Sequence, residues 1–156
     1  MPILKKLREF LDANQVAYEV VSHAQAFTAQ EVAQTEHIPG MRMAKVVMLR
    51  DGKDFVMVVL PAPYQVSIDR AKAALARPQL VLANEKEFAG LFPQCEPGAM
   101  PPFGNLYNLP VWVDETLTQD EEIVFNAGTH TQTVKMKYAE FARLVQPRVA
   151  ALAMSK

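Results

Sequence analysis

Two apolar, β-prone runs separated by a short polar turn constrain the fold of this chain most strongly. Residues 43–49 and 55–60 are rich in valine, methionine and leucine, and the segment 50–53 between them contains Asp51 followed by Gly52. An Asp-Gly pair between such runs favours a tight hairpin, because both residue types tolerate positive φ. The sequence therefore predicts two antiparallel strands joined at this turn.

The rest of the chain mixes helical and extended patterns. Apolar residues recur at helical spacing near the start, and Thr28 with Glu31 and Asn84 with Glu87 have capping-box spacing. Five helices are predicted. The first ends near Asn14, and the second runs from residue 28 toward 34. The third spans 67–76 with Ser67 or Asp69 as its cap, the fourth runs from Asn84 through 91, and the fifth covers 138–145. Further strands are predicted at 16–21, 80–82, 111–113, 122–125 and 131–137. This mixture predicts an α+β fold in a single domain over residues 1–156.

Composition narrows the classes of function. The chain has 156 residues, of which 50% are hydrophobic, and this suits one domain with a sizeable core. A net charge of -1 argues against tight binding to long nucleic acid through counterion release, so we expect no DNA partner, whereas contact with one RNA end stays open. Cys95 is the only cysteine, which excludes an internal disulfide framework. No apolar run approaches a bilayer span and the start lacks a secretory signal, so we expect a soluble, cytoplasmic protein.

Several familiar chemistries lack their motifs. The histidines His23, His37 and His130 include no His-x-x-x-His pair, and there is no cysteine cluster. No Gly-x-Ser-x-Gly elbow, P-loop or dinucleotide-binding glycine pattern is present. We therefore expect neither a metal site nor an organic cofactor.

Lys45 is the only charged residue in the apolar run 43–49. Burying an unpaired ammonium group is costly, so this side chain must reach solvent or an anion. One interpretation is a lysine that extends from an exposed strand face with its stem along apolar neighbours. The other is a cation that binds a phosphate or a ribose hydroxyl of a ligand.

The segment 97–104 predicts a stiff loop. Its two adjacent prolines, Pro101 and Pro102, fix φ, and its two glycines allow close backbone approach. Its central residues are Gly98, Ala99, Met100, Pro101, Pro102, Phe103 and Gly104. Such a loop can hold backbone amides toward the carbonyl oxygen of a tetrahedral intermediate. Alternatively, it is a plain turn before the next strand, with Phe103 filling the core.

His130 ends the segment Asn126-Ala-Gly-Thr-His, an apparent turn between two predicted strands. A histidine there is either exposed to solvent or contacts a substrate or a catalytic water. In the second case Gly128 sets the geometry of the turn. His23 and Thr28 precede the second predicted helix, where they either line the same cleft or have a structural role only.

Taken in order, these segments resemble the YbaK/prolyl-tRNA synthetase-associated editing-domain family of aminoacyl-tRNA deacylases, over nearly the whole chain. The resemblance runs through His23 and Thr28-Ala29, Lys45 in Ala44-Lys-Val-Val-Met-Leu49, Gly98-x-x-x-Pro102 with Phe103-Gly104, Val113-Asp114-Glu115 with Leu117, and Phe125-Asn-Ala-Gly-Thr-His130. It implies an α+β fold around a mixed, barrel-like sheet with surrounding helices. It also implies hydrolysis of the ester that joins a wrong amino acid to tRNA.

The resemblance implies roles for individual residues. Lys45 matches the family lysine that orients the terminal adenosine, and the loop from Gly98 to Pro102 matches the backbone that contacts the aminoacyl group and the reactive water. Gly128 and His130 match a late Gly-x-His element at the pocket. Val46 departs from the polar residue of some alanine-specific relatives, so the edited amino acid stays open. The implied partner is the acceptor end of aminoacyl-tRNA, and association with a synthetase is left open.

Two alternatives remain at this point. A non-catalytic module could use the same pocket to bind an aminoacyl-adenosine or a nucleotide as a regulator. Cysteine-dependent hydrolysis would instead use Cys95, which stands just before the loop, as nucleophile.

Overall fold

The computed structural model describes residues 4–22, 40–96 and 98–154, and it contains the predicted hairpin. Strands β2 and β3 pair antiparallel from Ala44 opposite Pro61 to Asp51 opposite Asp54. The turn is centred on Gly52 and Lys53, one residue later than the predicted Asp-Gly centre. Gly52 has a φ of +62°, and glycine at the first central position is typical of a type II′ hairpin.

The described elements form an α+β fold, as predicted. The helices are α1 (Lys5–Ala13), α2 (Ile68–Leu75), α3 (Glu85–Phe88) and α4 (Tyr138–Val145). The strands are β1 (Tyr18–Ser22), β2 (Ala44–Asp51), β3 (Asp54–Pro61), β4 (Gln65–Val66), β5 (Val81–Leu82), β6 (Val111–Asp114), β7 (Glu122–Asn126), β8 (Gln132–Lys137), β9 (Arg148–Ala150) and β10 (Ala153–Met154). No helix in these ranges has the length and apolar character needed to cross a bilayer.

The described strands form mixed sheets that do not close into a barrel. A five-stranded sheet has the order β5-β2-β3-β6-β9, with β6 parallel to both of its neighbours. A three-stranded antiparallel sheet has the order β1-β8-β7, and β10 pairs with β4. The two larger sheets share one isolated parallel bridge, between Met43 and Val124. The barrel-like expectation is therefore corrected to two sheets that meet along an open seam.

The helix caps form as predicted where the structure describes them. Ser67 rather than Asp69 caps α2, and its Oγ accepts a hydrogen bond from Arg70 N at 3.2 Å. Asn84 and Glu87 form a reciprocal capping box. The predicted helix at 28–34, together with His23, Thr28 and His37, lies outside the described residues. Strands β4, β9 and β10 were not predicted, because each has only two or three residues and no clear alternation.

Phe103 is at the centre of the main core. Its ring is fully buried and contacts the rings of Phe10, Phe125 and Phe141, with centroid distances of 6.1, 5.5 and 5.4 Å. Aromatic pairs in such edge-to-face and tilted arrangements add about 0.5–1.5 kcal/mol beyond the burial of their area. The loop that contains Phe103 is thus anchored between α1, β7 and α4.

Asp114 anchors the end of the chain. Its Oδ1 accepts hydrogen bonds from Leu152 N and Ala153 N, both at 2.8 Å, while Oδ2 accepts from the backbone and the hydroxyl of Thr116. Burial alone would raise the pKa of this carboxyl, but the hydrogen bonds prevail and lower it. The carboxylate therefore stabilises the folded state only while it is ionised.

We expect Asp114→Asn to reduce the free energy of unfolding at pH 7 by about 2 kcal/mol, because the new amide turns a donor toward the donors of Thr116. Since the folded pKa is depressed, the advantage of the wild type is present above the unfolded pKa of about 4 and shrinks as pH falls below it. Urea unfolding at pH 7 and at about pH 3 measures both effects. Glu9→Gln, on the exposed surface of α1, is the control. Equal destabilisation at both pH values would contradict the assignment.

Candidate active site

A small cavity opens along the seam between the two larger sheets. It has a volume of about 130 Å³ and is lined by Ala44, Lys45, Val46, Gly98, Met100 and Asn126. Since one water occupies roughly 30 Å³ of liquid, the cavity holds about four waters. Its lining combines one cation, one amide side chain and the glycine of the stiff loop.

The path of β2 explains why three consecutive residues line this cavity. β5 pairs with β2 only at Leu49 and Arg50, so of the described strands only β3 pairs with residues 44–46. On the other edge β2 touches β7 through the Met43–Val124 bridge. Past that bridge, residues 44–46 and Asn126 line the cavity and do not pair with each other. The cavity therefore marks the place where the two sheets part.

Backbone hydrogen bonds hold the loop that contains Gly98 against the turn between β7 and β8. Glu96 N donates to Gly128 O at 2.8 Å, and Gly128 N donates to Ala99 O at 2.8 Å. The Glu96 carboxylate also accepts a hydrogen bond from His130 N at 3.2 Å. These bonds flank Gly98 on both sides and fix its position over the cavity.

His130 is buried and not exposed to solvent, with a relative exposure of 5%. Its Cε1 lies 3.6 Å from the point that a Cβ on Gly98 would occupy, so the imidazole packs against this glycine. His130 is not among the residues that line the 130 Å³ cavity. The structure thus places the histidine beside the loop and outside the described cavity lining that contains Lys45.

The rest of the predicted loop is built into the protein interior. Ala99, Pro101, Pro102 and Phe103 are buried, and Ala99 N donates to Glu96 O at 3.0 Å. Proline nitrogen carries no hydrogen. The backbone amides of Gly98 and Met100 are therefore the candidates for contact with a ligand in the cavity.

A larger groove of about 490 Å³ lies near the hairpin turn and includes Lys53, Arg77 and Tyr107 in its lining. Strand geometry places this turn about 20 Å from Lys45, six residues along β2. Arg77 forms ion pairs with Asp51 and Asp54, at 3.0 and 3.4 Å, and these hydrogen bonds raise its pKa. Because the Arg77 guanidinium is already paired with two carboxylates, it contributes less to binding an anionic ligand in this groove.

Cys95 lacks the environment of a nucleophile. Its Sγ lies 3.7 Å from Tyr107 Oη, away from the cavity lining, and burial raises the pKa of the thiol. A raised pKa lowers the thiolate fraction that attacks an ester. Within the described ranges, no group of three His, Cys, Asp or Glu side chains is close enough to hold a metal ion.

Comparison with known proteins decides the family. A sequence model described as an aminoacyl-tRNA editing domain matches residues 23–144, a range that contains the whole cavity lining. The chain belongs to the aminoacyl-tRNA editing domain family. No protein of curated function matches the chain significantly.

Solved structures with the same fold have distant sequences. One described as a hypothetical protein has 19% identity and a TM-score of 0.87, covering 96% of this chain and 100% of its own. A second, described as a "putative trans-editing enzyme for prolyl tRNA synthetase", has 22% identity and a TM-score of 0.81, with 97% and 96% covered. A third, described as a "putative signal transduction protein" from Marinobacter aquaeolei, has 14% identity and a TM-score of 0.78, with 99% and 31% covered. These likenesses show that the editing domain shares its fold with all three.

Of the predicted site residues, Lys45, Gly98 and Met100 meet in the cavity, while His130 and Gly128 lie at the loop beside it. Ala99, Pro101, Pro102 and Phe103 support the loop from the interior. His23 and Thr28 lie outside the described residues. Sequence reasoning gave no role to Asn126 or Ala44, which also line the cavity, and it used Val46, a third lining residue, only to leave the edited amino acid open. One feature of the sequence could have indicated Asn126 as a site residue: it is polar and directly follows the apolar stretch of a predicted strand.

Gly128→Ala tests the fastening of the loop. Gly128 has a φ of +96°, and an added Cβ would lie 2.9 Å from Leu4 Cβ. We expect a loss of about 2–4 kcal/mol in unfolding free energy, from strain plus the clash. Gly52→Ala is the matched control, because Gly52 also has positive φ but nothing lies within 4 Å, so strain of about 1–2 kcal/mol remains. Equal losses in urea unfolding would show that the Leu4 contact is unimportant.

Proposed function

We propose that this editing domain is a free-standing, cytoplasmic aminoacyl-tRNA deacylase that hydrolyses the ester of a mischarged tRNA carrying a small amino acid. Alanine on tRNA for proline is the leading candidate. The observation that carries the proposal is the small cavity in which Lys45 and Gly98 meet, inside the region that matches the editing-domain family. The proposed domain spans residues 1–156.

The reaction is ester hydrolysis by water. Water attacks the carbonyl carbon, the bond to the ribose oxygen breaks, and that oxygen leaves with a proton to give free tRNA and the amino acid. Lys45 binds the ribose or phosphate at the tRNA terminus, and the amides of Gly98 and Met100 stabilise the developing oxyanion. His130 positions the loop and, through it, the amino acid or the water. In this scheme, orientation of the substrate and stabilisation of the oxyanion lower the activation barrier, and no metal or cofactor takes part.

Cavity size supports a small substrate. A volume of about 130 Å³ leaves little room for a large side chain once the ester and amino group are in place. A synthetase separates amino acids that differ by one methylene by only about 1–3 kcal/mol, so a second, size-limited site is needed to remove smaller intruders. Val46 gives part of the cavity an apolar wall that suits a methyl group.

Contact with tRNA is expected to be limited to the acceptor end. Arg70 donates to Ala153 O at 2.7 Å, and Lys135 lies 3.7 Å from carboxylates of both Glu19 and Glu122. Four basic residues could assist binding to the acceptor end, namely Arg70, Lys72, Lys135 and Lys137. Because Arg70 and Lys135 already have these partners, Lys72 and Lys137 are the better candidates. We expect a shallow salt dependence, because few phosphates are neutralised. A synthetase partner would supply affinity that this surface lacks.

A deacylation panel tests the proposal. We expect the wild type to hydrolyse one or more of Ala-, Ser-, Cys- and Thr-charged tRNAs faster than the cognate Pro-charged tRNA. Lys45→Ala should lower kcat/KM roughly a hundredfold, as loss of one electrostatic contact does. His130→Ala should lower it about tenfold through a misplaced loop. Lys53→Ala, on the distant groove, is the control and should keep full activity.

The rival function is a non-catalytic binding module. It is favoured by the fold's presence within a much longer chain described as a signal transduction protein. Binding of an aminoacyl-adenosine without hydrolysis of any charged tRNA would support the module and contradict the deacylase.

Cys95→Ala separates water from thiol chemistry. Because burial raises the thiol pKa and Cys95 lies away from the cavity lining, we expect kcat/KM to stay within about twofold of the wild type. A second readout is the deacylation rate of wild type treated with iodoacetamide, which alkylates thiols. We expect this rate to match that of the untreated protein. Loss of activity in Cys95→Ala with an unchanged melting temperature would identify a covalent mechanism.

A further inference from the structure

Among the described lining residues, Asn126 is the one whose side chain has an unsatisfied polar atom and no assigned role. It is 8% exposed, lines the cavity, and its buried Oδ1 accepts no hydrogen bond from any described residue. Buried side-chain oxygens in folded proteins are almost always paired, so each exception needs an explanation. Functional sites are the usual place for such exceptions, because a ligand supplies the missing partner.

The position of Asn126 is well fixed. It is the last residue of β7 and pairs with Thr133 of β8, while its neighbour Phe125 packs on Phe103 in the core. Alternation along the strand turns Asn126 away from that aromatic cluster. A group on a paired strand keeps its direction better than one on a free loop.

Every aminoacyl ester carries an α-amino group next to the reacting carbonyl, and this group needs an acceptor when it leaves water. Among the described lining residues, the Lys45 ammonium only donates, and alanine, valine, glycine and methionine side chains offer no strong acceptor. The Asn126 amide therefore provides the one strong side-chain acceptor in that part of the lining.

We propose that the Asn126 side-chain amide makes a half-turn that presents Oδ1 to the cavity, where it accepts a hydrogen bond from the substrate's α-amino group. The site then selects esters with a free amino group and rejects those in which this nitrogen is absent or acylated, such as the end of a peptidyl-tRNA. This inference rests on the proposed function and adds a specificity residue to it. A site that must pair a buried polar group rejects analogues lacking the partner far more strongly than an apolar pocket does.

Binding of two non-hydrolysable ligands tests the inference without turnover. One is adenosine with an alanyl group in amide linkage at the 3′ position, and the other carries a propionyl group there, which differs only by the missing amino group. Calorimetry of the wild type should show the alanyl compound binding about tenfold more tightly. Asn126→Leu should abolish this ratio by weakening the alanyl compound, with the propionyl affinity unchanged within about twofold. Asn126→Asp keeps an acceptor and should keep the preference.

Thermal melting separates a binding role from a structural one. Asn126→Leu removes a buried unpaired acceptor at similar volume, so its melting temperature should equal or exceed that of the wild type. If that variant does not fold, Asn126→Asp and Asn126→Ser are compared on the same two ligands. The inference predicts that Asn126→Asp keeps the preference for the alanyl compound and that Asn126→Ser, with its shorter side chain, loses it. An unchanged ratio in Asn126→Leu, or equal weakening of both ligands, would overturn the inference.

Failure of the inference and failure of the proposed function give different results. A wild type that hydrolyses Ala-charged tRNA with an amino-group preference independent of Asn126 refutes only the role of this residue. A wild type that neither hydrolyses charged tRNA nor binds either adenosine compound refutes both. Hydrolysis of N-acetyl-alanyl-tRNA at the same rate as alanyl-tRNA also refutes the inference and leaves the deacylase intact.

Discussion

The backbone hydrogen bonds between the Glu96–Ala99 segment and the β7–β8 turn are the constraint on which the rest of the site depends. They join Glu96 N to Gly128 O and Gly128 N to Ala99 O, both at 2.8 Å. Backbone groups form this contact, so these two hydrogen bonds do not depend on the chemistry of the loop's side chains. Gly128 is the exception, because its φ of +96° and its closeness to Leu4 leave no room for a side chain. The same turn also places His130 against Gly98, so one element sets both the loop and its neighbour.

The open seam between the two larger sheets is the second requirement. In a closed barrel, residues 44–46 of β2 would form backbone hydrogen bonds with β7, and no cavity would remain between the two strands. Instead, within the described part of the chain, the sheets meet through a single bridge at Met43 and Val124, and the cavity begins directly beyond it. The fold therefore brings Lys45 and Asn126, which are distant in sequence, to opposite sides of one hollow. An ester carbonyl and its α-amino group are the kind of paired polar groups that such a lining can hold.

Much of the fold could be predicted from local signals. The hairpin, the capping box at Asn84 and the helix at 138–145 each rest on side-chain chemistry within a few residues of each other. The turn centre was misplaced by one residue because Gly52 alone adopts positive φ, whereas an Asp-Gly reading needs two such residues. Strands β4, β9 and β10 depend on long-range pairing and on Asp114, which binds the backbone at residues 152 and 153. No local pattern encodes those contacts.

The candidate site could be predicted only in part. Lys45 and Gly98 stood out as a charge in an apolar run and a glycine in a stiff loop, and both line the cavity. For Phe103 the sequence left open a core role or a ligand role, and the structure places its ring in the core. Asn126 was noted only as part of the segment that ends at His130, because a single asparagine before a turn is ordinary, and only the tertiary fold reveals its burial in the cavity wall.

The most direct measurement of the central claim is a crystal structure of the protein with adenosine that carries an alanyl group in amide linkage at its 3′ position. The account predicts the alanyl group between β2 and β7, with its carbonyl at the Gly98 loop and the ribose toward Lys45. Density for the ligand in the groove lined by Lys53, Arg77 and Tyr107, with the seam cavity unchanged, would contradict it.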